Sequence, residues 1–253
     1  MNPLRLLSRG FVFAALGLAL VAGPGGRAAE KATSANGTSR RAGLGPRESD
    51  LRLEFPDAAW TRGITQGRAD VCVLVDGQGR ALDFLVTSET DPAFGRALLD
   101  YLRTADFQPA LQQGVPVPAR CAFTYEFVGR GAVGLNAIDA SAARVDLGGK
   151  PKLVRAPVTE AKLDHPIEVI AGSVPTLPAD FPATDKPVKV SVTFFVDETG
   201  QVRAPNIESD SPPQVYASVI AAVSTWKCKP PTAGGKPALV FAGRTFAVPR
   251  APQ

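Results

Sequence analysis

Hydrophobic and polar residues alternate along two widely separated stretches of this chain. The first stretch, ADVCVLVDGQGRA, begins at Ala69, and the second, VSVTFFVDETGQV, begins at Val190. A period of two is typical of a strand with one buried face. Each alternation ends at an aspartate, Asp76 or Asp197, with a glycine three residues later. Such a loop indicates a tight turn between two strands of a hairpin.

A helical pattern follows each predicted hairpin. Phe94, Leu98 and Leu102 recur at four-residue steps in the first, as do Val215, Val219 and Val223 in the second. Apolar stripes of this kind predict helices that pack on the sheets. We expect Ser211 to cap the second helix, with a proline in its first turn. A third alternating strand follows each helix, at 119–128 and 239–248.

One offset relates the two stretches. A shift of 121 residues carries Asp76 to Asp197 and Gly79 to Gly200 without a gap, and other glycine, proline and apolar positions coincide in the same register. An internal repeat predicts duplicated structural units. The pattern therefore predicts an α+β fold of two β-β-α-β units, each a three-stranded antiparallel sheet with a helix packed on one face.

Short motifs within the repeat resemble those of a known family. These motifs are FPDAAWTRG at 55–63, the turns LVDGQGR and FVDETGQ, the helix end TWKCKPP, and the later turns QGVPV and GGKPA. Together they resemble the C-terminal domain of TonB-type energy transducers, in two tandem copies at 51–129 and 165–250. The resemblance implies a binding module that docks on outer-membrane receptors by adding a partner strand to its sheet edge.

By this analogy, the third strand of each unit is the candidate docking edge. The candidate docking residues are Cys121, Phe123, Tyr125, Phe127, Val240, Ala242, Arg244 and Phe246. The implied partner is a protein, such as an outer-membrane receptor or an envelope complex. The resemblance implies no cofactor and no small-molecule substrate.

The N-terminus reads as a secretory signal. Arg5 and Arg9 precede the apolar run FVFAALGLALVAG, and small residues before position 29 suit cleavage after Ala28. We therefore expect a signal peptide at 1–28, a flexible linker at 29–50, a second linker at 130–164 and a periplasmic location. The net charge of +4 falls to +1 without the three arginines of 1–28, and a chain so near neutrality lacks the basic surface of nucleic-acid-binding proteins.

Two alternatives remain open at the level of sequence. In one, the N-terminal segment stays in the inner membrane as an anchor and the protein is an energy transducer subunit facing the periplasm. Only about twenty residues then separate the anchor from the first unit. This segment is short for a tether, and it is not rich in proline, as a stiff tether would be. In the other, the protein is a structural envelope component whose two sheets pair edge to edge.

Candidate chemistry is sparse. His165 is the single histidine, so a multi-histidine metal site or a histidine-based triad is excluded, and we expect neither a metal site nor an enzyme. Cys72 and Cys121 lie on strands expected to be neighbours, and an oxidising compartment permits a disulfide between them. The alternation of Val71, Val73 and Val75 places Cys72 outside, whereas that of Phe123, Tyr125 and Phe127 places Cys121 inside, which argues against the disulfide. A bulge near Pro118 would reconcile the two positions and permit it. Cys228 is expected to be a buried free thiol.

Overall fold

The structure is a computed structural model that describes residues 39–45, 52–129, 152–184, 186–208 and 211–250. All of these residues belong to one compact unit. The expected signal peptide at 1–28 and most of the two expected linkers, at 29–38, 46–50 and 130–151, lie outside the described residues, as does residue 51 of the first predicted unit.

The first half of the unit contains a three-stranded antiparallel sheet. Its strand order is β3-β2-β7, so β2 is central and β7 is an edge. The helix α2 packs across β2 and β3. The elements of this half are β1 (Gly43–Leu44), α1 (Asp57–Trp60), β2 (Gln66–Val75), β3 (Ala81–Glu89), α2 (Pro92–Thr104), β4 (Phe107–Gln108), β5 (Ala110–Gln112), β6 (Val115–Val117) and β7 (Ala119–Val128).

Local chemistry explains these elements. At the β2–β3 turn the Asp76 carboxylate accepts hydrogen bonds from the backbone N–H groups of Gln78 and Arg80, and Gly79 adopts a φ of 82°. Burial alone would raise the pKa of Asp76, but these hydrogen bonds outweigh it and lower the pKa below its ordinary value. The Asp91 side chain caps α2 by accepting from the N–H of Ala93.

The second half has a related order of elements with one added strand. Its sheet has the order β11-β10-β15-β8, and the two-residue strand β8 pairs in parallel with β15. The predicted three-stranded sheet therefore has four strands here. The elements are β8 (Val158–Thr159), β9 (Val169–Ala171), β10 (Val188–Val196), β11 (Val202–Ile207), α3 (Gln214–Ser224), β12 (Lys227–Cys228), β13 (Thr232–Ala233), β14 (Lys236–Pro237) and β15 (Val240–Val248).

The predicted fold class is confirmed at the level of a mixed α+β protein with many strands and few helices. The predicted helical stripes are buried: Phe94, Leu98 and Leu102 in α2, and Val215, Val219 and Val223 in α3. The prediction that Ser211 caps α3 is wrong, because the cap position falls on Pro213 and carries no side-chain hydrogen bond.

The two halves pack face to face. One face of each sheet carries its helix, and the opposite faces meet in a small apolar cluster formed by Cys72, Leu85, Phe195, Ala204 and Leu239. The strand β11 contacts all three strands of the first sheet. Edge-to-edge pairing of the two sheets is therefore wrong for the described residues, in which β7 and β15 belong to separate sheets, whereas a purely structural role stays an untested alternative. The larger apolar cluster also contains residues of both halves.

Two arginines stabilise the packing of the two halves. Arg120 of the first half lies over the rings of Phe195 and Phe241, at 5.2 and 5.3 Å from their centroids, and its guanidinium donates to the carbonyl oxygen of Ala204. Burial lowers the pKa of this guanidinium. From the other side, Arg203 donates to the carboxylate of Asp83 through Nε and Nη2. Planar guanidinium groups suit such stacked and bidentate contacts.

Candidate functional site

The outer edge of β7 is the candidate functional site. Strand β7 pairs with β2 on one side only. Two hydrogen bonds mark the direction of its backbone groups. The N–H of Gly129 donates inward to the carbonyl of Thr65 at 2.8 Å, whereas the N–H of Arg120 donates away from β2 to Oδ1 of Asn206 at 3.0 Å. Because backbone direction alternates along a strand, the even-numbered residues of β7 point their N–H and C=O groups outward.

Four consecutive outward positions are open. They are Ala122, Thr124, Glu126 and Val128, all with exposed side chains, and Val128 is 73% exposed. Within the described ranges, no hydrogen bond reaches the outward backbone groups of these four residues. An unpaired row of this kind is a template for an added strand.

The side chains beside this edge form two different rows. On the helix side, Phe123 and Tyr125 are half-buried and Phe127 is buried, stacked on Phe94 with ring centroids 4.7 Å apart. The Tyr125 hydroxyl accepts a hydrogen bond from the N–H of Leu53 at 2.9 Å. An added strand would therefore place every second side chain against a partly apolar row.

The other row is polar. The Thr124 hydroxyl donates to Oδ1 of Asp70 at 2.6 Å, and Arg68 donates to the same carboxylate oxygen. Glu126 is exposed on this face, and the described residues give its carboxylate no ion pair. This row presents negative charge to a neighbouring strand.

The structure assigns the predicted docking residues of the first unit to the packed row. Cys121, Phe123, Tyr125 and Phe127 face the helix, so their side chains contribute to packing. The open backbone groups belong instead to the even-numbered residues between them. Sequence reasoning missed these because it chose residues by side-chain character, although the period of two already separates the two rows.

The corresponding edge of β15 is largely covered. The N–H of Val158 in β8 donates to the carbonyl of Leu239 at 2.8 Å. Beyond β8, Glu160 accepts from both terminal nitrogens of Arg244, at 2.6 and 3.1 Å, and Arg244 also donates to the carbonyl of Gly243. The chain itself therefore occupies the first part of this edge.

The far end of β15 is also closed. The N–H of Leu177 donates to the carbonyl of Pro249 at 2.8 Å, and the Arg250 side chain donates to the carbonyls of Phe181 and Pro182. Among the described residues, Thr245 and Ala247 are outward positions with no hydrogen bond to either backbone group, and the outward N–H of Gly243 also has none. The expectation that Val240, Ala242, Arg244 and Phe246 line an open docking edge is therefore corrected: their strand is bounded at both ends by the chain's own segments.

The cysteines are free thiols in the structure. Cys121 pairs with Val73 and shares its helix-facing side, whereas Cys72 points to the opposite face and lies at the contact between the halves. This arrangement does not form the disulfide that the sequence raised. Burial raises the pKa of Cys72, raises that of Cys121 to about 12 and raises that of Cys228 to about 11. Cys228 is buried and free, as the sequence predicts.

Other candidate chemistry lies apart from this edge. His165 is exposed. The described residues contain no group of three or more histidine, cysteine or acidic side chains placed to hold a metal ion. Among the same residues, no helix combines the length and apolar character needed to span a bilayer.

Comparison with known proteins supports the family resemblance for the first half. Residues 52–128 match the family model described as the C-terminal of the Gram-negative bacterial TonB protein. The matched segment contains β2, β3, α2 and β7. The match does not extend into the second half, so the second tandem copy stays a prediction. No curated protein and no solved structure matches the chain.

Proposed function

We propose, from the TonB C-terminal-like segment 52–128, that this protein is a periplasmic binding or adaptor protein associated with outer-membrane transport. It docks an extended segment of a partner protein on the outer edge of β7. It acts by binding and carries out no catalysis. The family match supports the link to outer-membrane transport, and the open row of backbone groups on β7 is the observation that carries the docking site.

The second half supplies an internal precedent for strand addition. There, the chain's own β8 adds to β15 through backbone hydrogen bonds. Strand β15 follows its helix and pairs with the central strand of its sheet, as β7 does in the first half. The same kind of edge therefore accepts an extended segment within this protein.

The two side-chain rows of β7 define the partner's chemistry. A docked strand alternates its side chains between the faces of the sheet. On one face they meet the half-buried rings of Phe123 and Tyr125, and on the other they meet Glu126. The matching partner segment alternates apolar residues with basic or polar ones.

A blocked peptide of alternating valine and lysine, acetyl-Val-Lys-Val-Lys-Val-Lys-Val-amide, tests this proposal. We expect amide NMR shifts at Ala122, Thr124, Glu126 and Val128 on titration, together with slower hydrogen exchange there. The variant Thr124→Pro removes an outward N–H without breaking a backbone hydrogen bond to β2, and we expect it to weaken binding about tenfold or more.

The matched control is Thr124→Ala, which loses the hydroxyl contact to Asp70 but keeps the backbone N–H. We expect it to bind the peptide within about twofold of wild type. Binding that survives Thr124→Pro unchanged, or an absence of shifts along β7, would overturn the proposed docking site. The mass of the exported protein tests the location separately, because retention of residues 1–28 would favour the anchored alternative.

A further inference from the structure

The two third strands differ in what covers their edges. On β7, four outward positions in a row have no partner among the described residues, whereas on β15 the chain's own segments occupy both ends. We infer that the protein binds one partner strand, on β7, because the chain's own segments occupy both ends of the equivalent edge of β15 and leave too short an open row there. This inference rests on the proposed docking function and sets its stoichiometry at one strand per chain.

One residue difference explains the asymmetry at the middle of the edge. The offset of 121 residues places Arg244 of β15 where β7 has Phe123. In β15, this arginine binds Glu160 and the outward carbonyl of Gly243. In β7, the phenylalanine makes ring contacts, including one with Phe107, and no described residue bonds to the outward backbone groups beside it. The charged pair thus occupies the outward carbonyl of Gly243 in β15, whereas no described residue bonds to the equivalent carbonyl of Ala122 in β7.

The covering segment is anchored on both sides of β8. Upstream, Arg155 donates to the carbonyl of Val86 at 2.9 Å and pairs with Glu198. Downstream, the carboxylate of Asp164 accepts from the N–H groups of Gly234 and Gly235, at 2.8 and 2.9 Å. Tethering of both ends gives β8 a high effective concentration at its edge. A free peptide therefore competes poorly for β15, even where it binds β7.

The valine–lysine peptide described above distinguishes one site from two. We titrate it into the wild-type chain and follow amide shifts on both strands, with Thr245→Pro as the block on β15. The expected result is one equivalent bound, shifts along β7 only, and binding within about twofold of wild type in Thr245→Pro. Shifts along β15 in the wild-type chain would overturn the inference. Missing shifts along β7 would instead overturn the proposed function.

An opened variant supplies the positive test. Val158→Pro combined with Glu160→Lys removes the backbone donor of β8 and turns the pair with Arg244 into a repulsion. We expect a second equivalent of peptide to bind, with new shifts at Thr245 and Ala247. Asp100→Lys, which makes the same charge change on the exposed face of α2, should keep one equivalent. A folded opened variant that still binds one equivalent contradicts the inference; if that variant unfolds, the wild-type and Thr245→Pro titrations decide.

Discussion

The packing of the two halves predicts a measurable energetic coupling across their contact. Asp83 of the first half accepts hydrogen bonds from Arg203, at 2.6 Å to Nη2 and 3.0 Å to Nε, and from the backbone N–H of Ala204 at 3.0 Å. The perturbation is Asp83→Ala, Arg203→Ala and the double variant. Arg203 has further partners in Asp197 and the carbonyl of Phe84, so the two single variants need not cost the same.

The magnitude follows from the burial of the pair. Removing one partner of a fully buried ion pair costs about 3–5 kcal/mol. The side chains of Asp83 and Arg203 are 22% and 27% exposed, so water partly compensates the remaining group. We therefore expect Asp83→Ala to lower the free energy of unfolding by about 2–3 kcal/mol, and the pair to show a coupling energy of about 1–2 kcal/mol.

Urea unfolding of the four proteins in the double-mutant cycle measures this coupling. The matched control is the exposed pair Asp100–Arg103 on α2, whose side chains are 60% and 57% exposed. Its coupling should stay below about 0.5 kcal/mol. A coupling between Asp83 and Arg203 no larger than that of the control would refute the face-to-face packing, because residues that do not touch contribute independently.

Three further predictions concern local features. Gly200 has a φ of 87°, and an added Cβ would overlap the carbonyl oxygen of Cys228, so Gly200→Ala should lower the free energy of unfolding by about 2 kcal/mol or more. The control Gly234→Ala, where φ is 58° and the space is open, should lower it by about 1 kcal/mol. Equal losses in urea unfolding would contradict this prediction. The three buried thiols should resist Ellman's reagent at pH 8 until the chain is denatured, since burial raises the pKa of each, and fast labelling of the native protein would be inconsistent with the structure. Burial alone would raise the pKa of Asp197, but hydrogen bonds to its carboxylate lower this pKa below its ordinary value. The stability that the Asp197 carboxylate confers is present above its unfolded pKa of about 3.9 and is lost as pH falls through the lower folded value. The deficit of Asp197→Asn in urea unfolding should therefore shrink between about pH 4 and pH 2, and a deficit that stays constant over this range would argue against it.

The sequence by itself determined the local elements and the faces they bury. The alternation around Val71, Val73 and Val75 places these side chains under the helix because successive residues of a strand point to opposite sides. The turn at Asp76 follows from hydrogen bonds between its carboxylate and the backbone N–H groups of Gln78 and Arg80, and from the positive φ of Gly79. The parity argument also separated Cys72 from Cys121 correctly. These properties depend on residues close together along the chain, so the pattern of apolar and polar residues in the sequence predicts them.

The tertiary structure alone decided which edges stay open. Val158 lies 81 residues from Leu239 and Arg120 lies 84 from Ala204, and no local periodicity encodes such pairings. The strand pattern predicts that Cys72 points away from the helix toward solvent, yet Cys72 is buried because the second half covers that face of the first sheet. Whether a strand edge is covered depends on what else the chain brings to it. For that reason the repeat predicts two similar edges, and the structure leaves the longer open row on β7.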